Sequence, residues 1–492
     1  MKKNIKETLL GAWGKVKAAA SRAWEKMKSF GEKVKIKAKE LADIADEKLK
    51  ETAPEINIKV KKAVLISLAS LIGLGIIYSI TVNIYSKDVH VFSSDKCENC
   101  GISSSLVYKF EYLPETDSYS VSGRNIWKRR YDDVILPDSY KGKAVSAVAP
   151  YAFDYSTKLR SVVIPDSVEE IGRGAFLCTG KLDSVTFGNG LKAIGQESFG
   201  ACPRLEVVVF PESLEYIGIG AFFNCTKISG IAIPDGVKTI DNHAFEGCTN
   251  MKSLKIGESV EVIGNMAFAF CNLDTVEGNS AAFRTEGACL IKNEGGVVAV
   301  GTNTSVIPEG VTAIGRYAFS GRNVIAAITI PDSVEEIATY AFYDCMLLKD
   351  VTLGKGLKTI GHRAFYSVDN IAEITLPDGL EVIDEEAFAS CGMLGKLTIP
   401  DSVVKIGSRA FANCGSLTEV VIGRGVEYIG EKTFLYCVEL VKMEFLDAEG
   451  WYVSKDPAAT SGEEISADEL GNSDEAHYLF NGKYKNHYWF KK

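Results

Sequence analysis

Twelve phenylalanines constrain most of what this chain can fold into. Phe153, Phe176, Phe199, Phe222, Phe245 and Phe268 are followed by Phe319, Phe342, Phe365, Phe388, Phe411 and Phe434, and ten of the eleven intervals are 23 residues. The exception, from 268 to 319, is 51 residues. A short fixed period marks a solenoid, because one such unit cannot bury its apolar side until neighbours stack on it.

The unit is legible in residues 162–184, VVIPDSVEEIGRGAFLCTGKLDS. Val162 and Ile164 alternate around an outward Val163, as a short strand demands. Pro165, Asp166 and Ser167 turn the chain, Val168 and Ile171 re-enter the core, Gly172 permits the next bend, and Phe176 and Leu182 fill the space behind the strand. The strand recurs at 185–187, 208–210, 231–233, 254–256, 328–330, 351–353, 374–376, 397–399 and 420–422. Parallel stacking at roughly 4.8 Å over about 13 units predicts an arc on the order of 60 Å. The outward positions predict one continuous solvent face built from Val163, Thr186, Val209, Ala232, Lys255, Thr329, Thr352, Thr375, Thr398 and Val421. These ten are the candidate ligand-binding residues, since a broad, weakly solvated surface suits a large partner better than a small molecule.

The pattern IP-D-x-V-x-x-IG-x-x-AF-x-x-C-x-x-L-x-x-V resembles the BspA-like leucine-rich repeat of bacterial surface proteins over residues 103–492. Residues 106–123, LVYKFEYLPETDSYSVSG, resemble the hairpin that opens such domains, and 445–492 resemble the tail that follows the last repeat. The resemblance implies a secreted or anchored adhesin or binding protein. The chain departs from the pattern at 272–304, where a hairpin around Asn293 to Gly296 is expected inside a longer unit. The resulting division is an N-terminal cap at 103–134, a solenoid at 135–446 and an aromatic C-terminal cap at 447–492.

Residues 63–86 contain no charge and are flanked by Lys59, Lys61, Lys62, Lys87 and Asp88. As a helix this stretch spans a hydrocarbon core of roughly 30 Å. A single transmembrane signal anchor is expected, and its charged preamble is too long for a cleaved signal peptide. Residues 1–62 carry 17 Lys and Arg against 9 Asp and Glu, leaving 38 against 55 for the remainder. The positive-inside rule therefore places the N-terminus in the cytoplasm and the repeats outside. The acidic body argues against nucleic acid as a partner. Within the arm, Ile5, Leu9, Trp13, Val16, Ala20, Ala23, Met27, Phe30 and Val34 form an amphipathic helical stripe. It suits an anionic membrane surface, with a coiled coil or a solvated arm as alternatives.

Nine cysteines, at 178, 202, 225, 248, 271, 345, 391, 414 and 437, are assigned to one repeat slot, with Val368 standing in once. Successive rungs would set them in a line, not a tetrahedron, so they read as buried thiols and no metal site is expected. Cys97 and Cys100, in the juxtamembrane linker 87–102, lack a second pair for zinc and read as a local disulfide or two free thiols. The triplets Gly188-Asn189-Gly190, Gly354-Lys355-Gly356 and Gly423-Arg424-Gly425 stand where other units have Pro-Asp-Ser, and read as turns, not phosphate loops. His243 and His362 have no partners for a triad. His477 and His487 belong to the aromatic tail, whose reading is a cap, with a glycan-binding platform as the alternative.

No residue is nominated as catalytic and no cofactor is expected. The chain reads as a membrane-anchored cell-surface binding protein that displays an extracellular leucine-rich repeat solenoid to host or neighbouring-cell proteins or glycans. The alternative is a structural envelope protein whose cytoplasmic helix contacts the membrane or a partner.

Overall fold

The computed structural model describes residues 107–124 and 133–492, all within one compact unit, residues 92–492. The expected arm, transmembrane segment and Cys97–Cys100 pair lie outside the described residues. No helix among the described residues is long and apolar enough to cross a membrane.

Each rung has three walls. The strand wall holds triplets such as Ser184–Thr186, exposed at both ends and buried at the centre. The isoleucine wall holds dipeptides such as Glu170–Ile171 and Ala193–Ile194, each with its Ile buried. The third wall is the turn that carries the phenylalanine. All twelve phenylalanines are buried. Their rings stack from rung to rung, at 5.3 Å and 3° for Phe222 and Phe245, for example. A regular ring stack adds its offset contact at every step to the burial of the rings themselves.

The Pro-Asp-Ser turns clip three rungs together. The Asp332 carboxylate accepts the Lys355 N–H of the following rung at 2.8 Å, while the Ser333 hydroxyl donates to Val311 O of the preceding one at 2.8 Å. Asp166 with Asn189, and Ser167 with Val145 O, repeat the arrangement. This explains the glycine triplets, which are turns as expected. A Cβ on Gly188 would stand 2.4 Å from Pro165 of the preceding turn, so the close approach of these two turns requires glycine here.

The phenylalanine wall uses a less common device. Two residues per turn adopt the left-handed conformation, such as Tyr340 (φ 59) and Asp344 (φ 58). Each costs an L-residue roughly 1–2 kcal/mol. In return the turn points three N–H groups along the axis: Tyr340 to His362 O at 2.9 Å, Phe342 to Ala364 O at 2.8 Å, and Asp344 to Tyr366 O at 3.0 Å.

Two expectations need correction. The strand wall is not one continuous sheet but separate sheets of three, three, two and three strands. In rung 207–210 only an isolated Ser184–Val207 bridge forms, and 373–376 forms no strand. The longer ladders run along the isoleucine wall, within a nine-stranded and a twelve-stranded sheet. Second, Cys178 is out of the cysteine slot by one residue. Thr179 occupies it, buried, with its hydroxyl donating to Phe153 O, as the Cys202 thiol donates to Phe176 O. Cys178 is half-buried and left-handed (φ 56).

Both ends are capped. Strands Tyr108–Leu113 and Ser118–Arg124 form the expected opening hairpin, whose second strand pairs with Lys143–Val148. At the other end Tyr488–Lys491 folds back antiparallel to Tyr428–Ile429. Phe480 meets the last ring of the ladder, Phe434, edge-on at 6.0 Å and stacks on Trp489 at 4.0 Å. The aromatic tail thus covers the final rung, which is the capping reading.

Candidate functional site

Of the ten outward strand residues, Thr186, Val209, Ala232, Lys255, Thr329, Thr352, Thr375 and Thr398 are exposed, while Val163 and Val421 are half-buried. The triplet pattern adds a second outward column one position before the buried residue, including Ser184, Ser253, Asp350 and Lys396. It changes character along the chain. Around Ser184 to Ser253 it is uncharged, whereas Lys396, Glu419 and Lys442 form a chain of ion pairs towards the C-terminus.

The irregular unit sits between two hydrophobic cores, one running from Tyr108 to Val300 and the other from Cys289 to Trp489. Strands Phe283–Glu286, Cys289–Lys292 and Val297–Val300 form two hairpins, the second turning at 293–296 as expected and the first at Gly287-Ala288. The isoleucine ladder ends at Val262–Ile263 and restarts at Val297–Val300, which pairs with Ala313–Ile314.

On the phenylalanine wall this leaves a wedge. The turn 266–270 keeps its left-handed residues, Met266 (φ 58) and Phe270 (φ 57), so its donors are aimed as in every other rung. Phe270 N–H does reach Ser320 O at 3.0 Å, but Met266 N–H and Phe268 N–H find no backbone carbonyl among the described residues. The rungs touch at one edge of the turn and part at the other. Gly301 enters between them and donates to Ala318 O at 2.8 Å. A Cβ there would stand 2.1 Å from the Phe319 ring, so the intrusion requires glycine.

Arg322 holds the wedge together. It lies 51 residues after Cys271 and 23 before Cys345, which puts it in the cysteine slot. Its guanidinium is buried and donates to Gly301 O (2.9 Å), Phe268 O (3.1 Å), Cys271 O (2.6 Å) and Ser320 O (3.3 Å). A cysteine would satisfy only the Phe268 carbonyl, as Cys345 satisfies that of Phe319 at 3.1 Å. Cys271 O needs the extra donor because the following loop is one residue shorter than the regular one, where Ile228 N–H caps Cys225 O at 3.2 Å. No carboxylate pairs with Arg322 among the described residues, and burial lowers its pKa. The spacing that placed the phenylalanines also marked Arg322, so it was findable from sequence.

Beside the wedge, Tyr317 stacks on Tyr340 at 4.9 Å and Tyr343 on Tyr366 at 5.4 Å. Phe270 meets Tyr343 edge-on, and the Arg363 guanidinium lies over Tyr340 and Tyr366 while pairing with Glu386. His362 packs edge-on against Tyr340, and the other central histidine, His243, pairs with Glu246 at 2.7 Å.

Three-walled rungs of 23 residues, with an asparate-serine clip at one corner and a phenylalanine ladder at another, define a leucine-rich repeat solenoid. The profile described as BspA type leucine rich repeat region (6 copies) matches residues 134–252, 220–290 and 301–414, more than half of the chain. The chain belongs to this family. Among solved structures it is similar to a leucine rich cell surface protein from Faecalibacterium prausnitzii, at 24% identity and a TM-score of 0.51, covering 70% of this chain and 94% of that one. It is also similar to the pneumococcal vaccine antigen PcpA, at 22% identity and a TM-score of 0.55, covering 70% and 87%. A leucine-rich repeat protein from Bacteroides ovatus aligns at 25% identity and a TM-score of 0.44, covering 69% and 93%. A comparison with curated protein sequences finds no match.

Proposed function

We propose that this chain is a membrane-anchored cell-surface binding protein. In this reading residues 63–86 anchor it, the N-terminal arm is cytoplasmic, and the solenoid faces outward to recognise proteins or glycans of a host or neighbouring cell. The observation that carries the binding role is the strand wall, whose two outward columns are exposed or half-buried and present a surface along the solenoid. The similarity to a cell surface protein and to a bacterial antigen agrees with it. A partner covering this wall would read shape and a few charges, as macromolecular interfaces do.

A screen of residues 103–492 against matrix proteins and glycans tests the role. Replacing Thr352, Thr375 and Thr398 together by Glu should weaken a captured ligand by about tenfold or more without lowering the unfolding temperature, since the three side chains face water. Unchanged binding would remove the strand wall from the site. Protease added to intact cells, or to spheroplasts where a wall intervenes, should remove the repeats and spare residues 1–62. Protected repeats would reverse the topology.

A further inference from the structure

The wedge at the irregular unit has the attributes of a small binding site that the strand wall lacks. It is a narrow open cleft with about 20 Å³ of its own space, room for one water-sized group such as a carboxylate oxygen while anything larger stays at its mouth, and is lined among others by Met266, Phe268, Ala299, Arg316, Tyr317 and Arg322. Its polar groups are mostly donors. Met266 N–H is held in the conformation that elsewhere delivers it to the next rung, and here no backbone carbonyl of the described residues meets it. Arg316 at the rim is exposed and forms no ion pair among the described residues. Beneath them lies Arg322, a buried positive charge compensated by carbonyl dipoles and by no carboxylate. The Glu246 carboxylate of a neighbouring rung is engaged by His243 at 2.7 Å. Such a site is electrostatically incomplete, since a buried charge is costly unless an opposite charge offsets it. The Tyr317 ring stacks on Tyr340, and Tyr317 is among the residues that line the cleft.

We propose that the wedge binds the carboxylate-bearing ring of an acidic glycan, a uronate or a sialate, with the carboxylate on Met266 N–H and the Arg316 guanidinium and the sugar ring against Tyr317. Sugar hydroxyls suit the remaining polarity. Arg316 O, which has no backbone partner among the described residues, takes a hydroxyl donor. A peptide strand fits less well, because strand addition needs alternating donors and acceptors along an edge and the wedge offers one of each.

The test is titration of the full chain with a galacturonate tetrasaccharide and, separately, with sialyllactose; whichever binds names the source of the carboxylate. Saturable binding of one or both is expected, weakened about tenfold or more by Arg316→Ala and by Tyr317→Ala, and largely restored in Arg316→Lys. Thermal unfolding of each variant checks that the fold is kept, and Arg316→Gln supplies a second variant that keeps the size of the side chain and removes its charge. The Thr352, Thr375 and Thr398 change should leave this binding untouched, so failure of the strand-wall reading and failure of this one are separable. Absence of binding to either acidic sugar, equal binding of the neutral galactose tetrasaccharide, equal competition by an acidic peptide, or insensitivity to Arg316→Ala would each overturn the proposal.

Discussion

The turns at 340–345 and 266–271 follow one pattern, with left-handed residues at the same two positions and a buried phenylalanine between them. Both end in a cysteine, but the first closes all three axial bonds whereas the second closes one, and the slot in the rung that follows the second is filled by Arg322. In the regular stack every polar group of the turn is answered by its neighbour, so the surface there is inert scaffold. Where 28 extra residues interrupt the period, the same local structure leaves donors facing open space. A solenoid therefore acquires a site by omitting a neighbour, with no change in the turn itself.

The largest expected effect probes the regular half. Phe245→Ala, in the middle of an unbroken ring stack, should cost about 3–5 kcal/mol in thermal or denaturant unfolding of residues 103–492. An unchanged transition would mean that the ring ladder does not carry the core.

Arg322→Cys sharpens the contrast, since it restores the residue that the repeat calls for. It should still destabilise by about 3 kcal/mol, because Cys271 O and Gly301 O lose their donor. A stabilised or unaltered variant would show that the junction tolerates the regular slot and that Arg322 has no structural role. The smallest expected shift comes from the clip: Ser333→Ala removes two inter-rung bonds, the one its hydroxyl donates to Val311 O and the one it accepts from Gly310 N–H, and should cost about 2 kcal/mol in the same assay.

Alkylation separates the cysteines without mutation. Burial pushes the thiols of Cys202, Cys345 and Cys391 up to about 12. At pH 8 they are protonated and shielded, so mass spectrometry after iodoacetamide should find them unmodified in the native chain, with the half-buried Cys178 the exception among the described residues. Rapid native labelling of Cys345 would place the ladder outside the core.

Much of this was legible in the sequence. The phenylalanine period gave the register of every rung, and strand alternation identified the outward residues, because burial at a fixed period of two leaves no other choice of face. Cys178 stands one residue before the slot that Thr179 fills, and a one-residue offset reverses a side chain's surroundings. The breaks in the strand wall were not readable. Whether adjacent triplets reach hydrogen-bond distance depends on local rise and twist, which the packing of the other two walls sets. The wedge was also hidden, since it arises from bonds that fail to form between two segments of regular sequence. Besides the 51-residue interval, its sequence signal was Arg322, a charged residue at a position otherwise occupied by Cys, Ser, Thr or Val.

Amide hydrogen exchange read residue by residue compares the two regions most directly. The N–H groups of His243, Phe245, Tyr340 and Phe342, each bonded to the next rung, should exchange slowly, and those of Met266 and Phe268 at least about a hundredfold faster although they sit in the same turn. Equal protection of all six amides would mean that the ladder is closed at the junction, and the wedge with its site would not exist.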